Sequence, residues 1–203
     1  FYIARLQWTN DSNTLSAQVL NRHQDNLDLL FINGTSGSKK TVLNEKDVAY
    51  VDVTNDLTFL NDNSFIWSSE KDGFNHIYHF DKAGKLLKQI TKGNWEVTAY
   101  YGFDDRTSTV YYQSVENGSI NRDVYSIGID GKNKKRLTSK TGTNEASFSP
   151  KFHYFINRFS SVTTAPTYSL IESKSGDEIK VIVSNKALEE KSSKARLLFY
   201  LEE

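Results

Sequence analysis

The sequence contains no cysteine, only two prolines and no excess charge of either sign. Without cysteine the chain can form no disulfides, thiolate metal sites or cysteine nucleophiles. Its 25 basic residues equal its 25 acidic residues, so no net field gathers nucleic acid or an anionic membrane surface. No apolar run approaches the roughly 20 residues that a membrane helix needs. We therefore expect no nucleic-acid partner and no membrane segment in this chain.

The start of the chain lacks the features of a secretory signal. No basic, apolar and small-residue segment opens it. Residues 1–6 instead begin in a strand-like alternation without an initiator methionine. We interpret the sequence as an internal segment of a longer polypeptide.

Aromatic residues are abundant, at 13% of the 203 residues. They favour pleated, half-buried β surfaces over helical bundles. The clearest unit lies between Trp67 and Gly93, where a strand, an Asp-Gly turn, an aromatic strand, a small-residue turn and an aliphatic strand follow one another. This succession is typical of one blade of a β-propeller.

Weaker versions of this unit recur along the chain. The third-strand anchors Leu30, Tyr78, Tyr125 and Tyr168 are separated by 48, 47 and 43 residues. Each predicted third strand is followed by a glycine-containing turn, as hairpins require. Further turns at 10–13, 60–63, 104–107 and 149–151 separate the first and second strands. A period near 45 residues with four short strands predicts a propeller, whereas helical solenoids would show 3.6-residue spacing.

The predicted fold class is all-β: a β-propeller fragment of about four blades, each of four antiparallel strands, with a short C-terminal helical exit. The predicted blades are approximately residues 1–47, 48–93, 94–140 and 141–184. We expect residues 185–203 to form an exit segment, with one or two helical turns over 185–191 and a strand over 196–201. Pro150 and Pro166 both fall where a strand begins or turns, which agrees with this division.

No motif for catalysis or cofactor binding is present. A serine hydrolase needs a nucleophile elbow, commonly Gly-x-Ser-x-Gly, whereas Gly34-Thr35-Ser36-Gly37 lacks that spacing and falls in a hairpin turn. No phosphate-binding loop occurs, and the four histidines, His23, His76, His79 and His153, show no metal-ligand spacing. We therefore predict no catalytic residue, no cofactor-binding residue, no metal ligand and no cofactor.

Several residues with chemical potential have simpler structural explanations. His76 and His79 point to opposite faces of one strand, so they cannot chelate one metal and are expected to form hydrogen bonds within the sheet. Asp104-Asp105 precedes Arg106-Thr107 and predicts a β-turn. The pair Glu189-Glu190 is expected to be solvated.

The aromatic pairs Tyr100-Tyr101 and Tyr111-Tyr112 could stack on bases, but no basic groove accompanies them, so we assign them to the core. Asn-x-Ser/Thr sequons begin at Asn10, Asn33 and Asn117, each in a predicted turn. These sequons do not by themselves imply a sugar.

Two stretches carry a resemblance to a known family: Ser69–Tyr78, and Gln89–Val97 with its Thr-Lys-Gly-Asn-Trp-Glu-Val sequence. They resemble the N-terminal β-propeller, in its C-terminal portion, of dipeptidyl peptidase IV-like serine exopeptidases of the prolyl oligopeptidase superfamily. Residues 121–125, 147–150 and 185–188 are similar to family segments in the same order. The resemblance covers nearly the whole chain.

The resemblance implies an eight-bladed propeller that sits over an α/β-hydrolase domain and admits short peptides to a cavity between them. The parent enzyme would remove N-terminal Xaa-Pro or Xaa-Ala dipeptides. This chain would be a non-catalytic segment that gates and shapes peptide access, with the hydrolase domain of the same parent chain as its partner. The resemblance also implies a bacterial protein in the periplasm or at the cell surface.

The family's substrate-binding residues are not matched here. The glutamate pair that binds the substrate amine precedes the matched region, and Glu189-Glu190 does not replace it. An arginine of the extended substrate pocket has no clear counterpart around residues 49–52. A four-blade piece would expose two sheet faces, so we also expect the half-propeller to self-associate.

Two other functions fit the same fold. One is a TolB-like or WD-type propeller that serves as a protein-binding scaffold with no peptidase attached. The other is the propeller of a related oligopeptidase with a different substrate rule.

Overall fold

A computed structural model describes residues 1–194 of the chain. These residues form four separate four-stranded sheets and one helix. In every sheet, strands that are consecutive in the sequence pair with each other, so each sheet is an antiparallel meander. This confirms the predicted all-β class with four blades of four strands and a helical exit.

The strand bounds are as follows. The first blade contains β1 (Tyr2–Trp8), β2 (Thr14–Leu20), β3 (Asn26–Asn33) and β4 (Lys39–Lys46). The second contains β5 (Thr58–Phe59), β6 (Phe65–Ser69), β7 (His76–Phe80) and β8 (Leu86–Gln89). The third contains β9 (Val97–Asp104), β10 (Thr109–Ser114), β11 (Asp123–Gly128) and β12 (Lys135–Arg136). The fourth contains β13 (Thr143–Phe148), β14 (Tyr154–Ser160), β15 (Thr167–Glu172) and β16 (Glu178–Val183).

The core lies between the blades, because each sheet buries apolar side chains on its faces. One cluster joins Leu27 and Leu29 of the first blade to Trp67 and Tyr78 of the second. Two further clusters occupy the next two interfaces, one containing Ile77 of the second blade. Successive side chains in a strand point to opposite faces, so Ile77 packs toward the third blade while Tyr78 packs toward the first. Stacking of sheet on sheet therefore replaces a single central core.

Within residues 1–194, no further sheet packs on the two outermost faces. In the first blade, Leu27 and Leu29 point toward the second blade, so Leu30 lies on the opposite face together with Ile3 of β1. The fourth blade presents Ile156 and Tyr168 on its outer face. These are the faces that the sequence analysis expects to seek a partner.

The fourth anchor of the sequence repeat is out of phase. Tyr78 and Tyr125 both pack toward the preceding blade. In the fourth blade Ile171 belongs to the cluster shared with the third blade, and Tyr168, three positions earlier, must point the other way. The core-facing neighbour is Ser169, which is small and polar and gives no aromatic signal. The repeat is correct, but the residue of the fourth blade that is equivalent to Tyr125 is Ser169, one position after the predicted anchor Tyr168.

The helix α1 (Lys186–Lys194) follows β16 and extends three residues beyond the predicted 185–191. Asn185 precedes it, and the Asn185 carbonyl oxygen accepts hydrogen bonds from the N–H groups of Leu188 and Glu189. The side-chain amide of Asn185 donates to the carbonyl oxygen of Pro166, which ties the start of the helix to the fourth blade. The predicted strand over 196–201 lies outside the described residues. The blade limits of the sequence analysis stay a prediction.

Candidate functional site at the loop end

The two ends of the stacked sheets differ. We call one end the turn end; it carries the turns between first and second strands and between third and fourth strands. We call the other end the loop end; it carries the connections between second and third strands, the connections from one blade to the next, and α1. In an antiparallel meander these two sets of connections necessarily lie at opposite ends.

Polar side chains connect the turns of neighbouring blades at the turn end. The Asn10 side-chain amide donates to the carbonyl oxygens of Phe59 and Leu60, at distances of 3.2 and 2.8 Å. Arg106 of the third blade donates to the carbonyl oxygen of Lys151 and contacts His153 of the fourth. These contacts hold the turns of successive blades against each other.

Loops of the loop end expose apolar side chains. Val48 is fully exposed in the connection from the first to the second blade. Ile120 is 82% exposed in the loop before β11, and Val162 is 71% exposed in the loop before β15. Single exposed apolar residues are common on protein surfaces, but these three all lie on loops of the same end, where each is available for contact with another domain or a ligand.

A cavity of about 560 Å³ opens at the loop end between the first two blades. Its walls come from the end of β4, the connection over residues 47–56, and the segment after β6. The side chains of Leu43, Val51 and Val53 form the apolar part of its lining. Its charged lining residues are Glu45, Lys46, Asp47, Asp52, Asp56, Glu70 and Lys71.

Hydrogen bonds position the two inner carboxylates of this cavity. Glu45 accepts a hydrogen bond of 3.0 Å from the indole N–H of Trp67, and Asp56 accepts one of 2.6 Å from the hydroxyl of Ser68. Burial raises the pKa of Glu45 and of Asp56 above their ordinary values, although these hydrogen bonds oppose the shift. The cavity thus holds carboxylates whose charge is poorly solvated.

The carboxylates at the cavity mouth are more exposed and repel one another. Burial raises the pKa of Glu70, and the negative charges of Asp52, Glu96 and Asp47 raise it further. No motif in the sequence predicts this site. The available signal was the density of acidic residues over 45–56 in a predicted connection between blades, but the sequence did not show that Glu70 faces them.

The Thr-Lys-Gly-Asn-Trp-Glu-Val stretch forms the joint between the second and third blades. Thr91 accepts a hydrogen bond from the backbone N–H of Ile77 and lies 3.0 Å from Nδ1 of His76. Nε2 of His76 lies 3.0 Å from the carbonyl oxygen of Gly93. Because that carbonyl can only accept, Nε2 carries the proton and the Thr91 hydroxyl donates to Nδ1.

Trp95 completes this joint. Its ring meets His76 edge-on, with centroids 4.9 Å apart, and stacks on Tyr112 of the third blade at 6.4 Å. Gly93 has a φ of 144°, and a Cβ there would lie 2.2 Å from Nε1 of Trp95. The stretch therefore needs glycine at this position because the indole packs directly on its backbone. The joint explains the stretch as a structural element.

The structure confirms the structural explanations for several candidate residues. His79 lies 2.9 Å from the Ser64 hydroxyl, and His76 is fully buried in the joint. Burial opposes ionisation of Asp104, but hydrogen bonds from Arg106 and Thr107 lower its pKa below the ordinary value. These bonds close the predicted turn.

The fold also accounts for a tyrosine pair and one sequon residue. Tyr111 and Tyr112 are buried in two different interblade clusters, as the core assignment requires. The amide of the sequon residue Asn10 is engaged at the turn end, as described above. Within residues 1–194, no group of three or more histidine or acidic side chains could hold a metal ion. No helix in the same range is long and apolar enough to cross a membrane.

Comparison with known proteins identifies the family. The family model for the dipeptidyl peptidase IV N-terminal region matches residues 1–166. The chain belongs to this family. The crystal structure of Porphyromonas gingivalis dipeptidyl peptidase 4 is similar over 94% of the chain, with a TM-score of 0.88 and 38% sequence identity. The match covers 27% of that structure.

Two fungal relatives are also similar over most of the chain. A probable dipeptidyl-aminopeptidase B of Phaeosphaeria nodorum is 28% identical over 96% of the chain and 23% of its own length. A probable dipeptidyl peptidase 4 of Aspergillus flavus is 27% identical over 93% of the chain and 26% of its own length. The chain thus spans about a quarter of the length of these dipeptidyl peptidase relatives. The comparisons do not favour the stand-alone TolB-like or WD-type scaffold.

Proposed function

We propose that the chain is a non-catalytic propeller segment of a dipeptidyl peptidase IV-like serine peptidase, in which it gates and shapes the access of short peptides. The parent enzyme removes N-terminal Xaa-Pro or Xaa-Ala dipeptides. The α/β-hydrolase domain of the same parent chain and the peptide substrate are its partners. We also propose placement in the periplasm or at the cell surface, which subcellular fractionation of the source cells can test.

The observation that carries this proposal is the acidic cavity at the loop end, which lies beside loops with exposed apolar side chains. Polar contacts join neighbouring blades at both ends, as between Asn10 and Leu60 at the turn end and between Asn75 and Val97 at the loop end. The loop end in addition combines exposed apolar side chains on its loops with the acidic cavity and α1. A rigid scaffold that presents variable loops at one end is a common way to build a binding surface. We therefore assign the loop end to the side that faces the peptidase active site.

The first experiment concerns the parent enzyme. The full-length polypeptide is expected to hydrolyse a Gly-Pro chromogenic amide, and the 203-residue chain alone is expected to give no turnover. Serine-dependent hydrolysis by the isolated chain would contradict its non-catalytic role. An open reading frame without a serine-hydrolase motif such as Gly-x-Ser-x-Gly would contradict the peptidase assignment.

The second experiment tests which end faces the substrate. In the full-length enzyme, the Val48→Asp substitution is expected to raise the KM for a peptide substrate at least about threefold, because it places a charge on the loop end. The matched control is Ala83→Asp, which places the same charge on an exposed residue of the turn end. Equal effects of the two substitutions on KM would refute the assignment of the loop end.

A further inference from the structure

The cavity between the first two blades has the dimensions of a ligand site. Its volume of about 560 Å³ falls within the range of about 300–1,000 Å³ that is typical of small-molecule pockets. Leu43, Val51 and Val53 supply apolar contact surface along it, and Tyr50 adds a half-exposed aromatic ring. The walls therefore suit an elongated group with an aliphatic part.

The cavity carries an excess of negative charge. Five carboxylates line it, from Glu45, Asp47, Asp52, Asp56 and Glu70, against two lysines. Among the residues that the structure describes, none of the five carboxylates forms an ion pair within 4.0 Å. The ammonium of one of the lysines, Lys71, lies 3.8 Å from the ring centroid of Tyr78.

This charge is distributed along the cavity. The half-buried Glu45 and Asp56 are fixed by hydrogen bonds, whereas Asp47, Asp52 and Glu70 are exposed. No three acidic or histidine side chains within residues 1–194 converge closely enough to hold a metal ion. Spread carboxylates beside apolar surface match an extended organic cation better than a compact metal ion.

We propose that this cavity binds the cationic side chain of an arginine or lysine residue in a peptide. The aliphatic stem of that side chain packs on Leu43, Val51 and Val53, and its charged head is held by the carboxylates. Binding relieves the repulsion between Asp52 and Glu70 because a cation lies between like charges. This proposal depends on the proposed function in one respect: the cation is taken to belong to a peptide.

Isothermal titration calorimetry on the 203-residue chain tests the proposal with acetyl-Gly-Arg-Gly-amide. The acetyl group removes the terminal ammonium, so the guanidinium is the peptide's cation. The control peptide contains citrulline in place of arginine, which keeps the shape and removes the charge. We expect the arginine peptide to bind at least about tenfold more tightly, with affinity falling as salt rises. Equal affinity of the two peptides, or no binding of the arginine peptide, would overturn the proposal.

Substitutions locate the binding. Asp52→Asn and Glu70→Gln each remove one charge at the cavity and are expected to weaken binding of the arginine peptide about fivefold. The matched control is Asp177→Asn, which removes one exposed charge at the turn end and is expected to leave affinity unchanged. The far-UV circular dichroism spectrum of each variant establishes that it is folded. Unchanged affinity in both cavity variants would place the binding elsewhere and reject this site.

This test separates the two proposals. Binding is measured on the chain itself and needs no peptidase activity. A parent enzyme that fails to hydrolyse Gly-Pro amides would reject the proposed function while leaving arginine binding intact. An active parent whose propeller segment does not distinguish arginine from citrulline would reject the cavity proposal alone.

Discussion

Replacing Gly84 by alanine is expected to destabilise the contact between the first two blades, in addition to the cost of a left-handed turn residue. Gly84 lies in the β7–β8 turn with a φ of 88°, and an added Cβ would lie 1.7 Å from the backbone carbonyl oxygen of Val42 in the first blade. Gly37 occupies the corresponding β3–β4 turn with a φ of 67°, and an added Cβ would meet nothing within 4 Å. Gly37→Ala is therefore a matched control.

The two substitutions share the cost of a left-handed conformation, about 1 kcal/mol. Gly84→Ala adds a collision with backbone that cannot rotate away, and overpacking of this kind costs about 1–3 kcal/mol. We therefore expect the free energy of unfolding to fall by about 3 kcal/mol for Gly84→Ala and by about 1 kcal/mol for Gly37→Ala.

Urea denaturation followed by tryptophan fluorescence measures this difference. With a slope of about 2 kcal/mol per molar urea, the midpoint of Gly84→Ala should lie about 1 M below that of Gly37→Ala. Trp67 lies in the cluster between the first two blades, so its emission reports on their separation. Equal midpoints for the two variants would refute the packing of the second-blade turn on the first blade.

Three further predictions follow from buried charge and exposed surface. Asp123→Ala should lower the free energy of unfolding by about 3 kcal/mol in thermal melts, because its buried carboxylate accepts hydrogen bonds from Arg136, Thr138 and Asn144; a loss no larger than that of the exposed Asp105→Ala would contradict this. Burial and nearby carboxylates raise the pKa of Glu70 in the folded state, so protonated Glu70 favours folding below its ordinary pKa, and this stability is lost as the pH rises through the folded-state pKa. Glu70→Gln removes the ionisable group and should therefore raise the melting temperature at pH 7 but not at pH 3. An equal gain at both pH values would count against this origin. The isolated chain should self-associate in light scattering because Ile3, Leu6 and Trp8 are each more than half exposed, and a stable monomer that is insensitive to concentration would oppose that expectation.

The sequence predicted the local elements well because their signals are local. Alternation and turn residues marked most strands, and the turns at 60–63 and 104–107 lie between the first and second strands of their blades. The two-residue strands β5 and β12 are the weakest elements, and they depend on pairing with the longer β6 and β11. The family resemblance was equally local, since it rested on short stretches, chiefly Ser69–Tyr78 and Gln89–Val97.

The candidate site could not be predicted in the same way. Glu45 and Glu70 are 25 positions apart, and the stacking of the first blade on the second is what brings both to one cavity. The same limit explains the misplaced anchor Tyr168. Aromatic spacing identifies a strand, but the face that packs on the preceding blade is set by neighbours from another repeat.

By itself the sequence determined the repeat, the strand-and-turn order and the family, because each depends on residues close together in the chain. The tertiary structure decided which side chains share a surface. It made His76 and Trp95 parts of a joint, and it turned separate acidic residues into one cavity with poorly compensated charge. The reason is physical: burial, repulsion and packing act between blades, and contacts between blades join residues that are distant in the sequence.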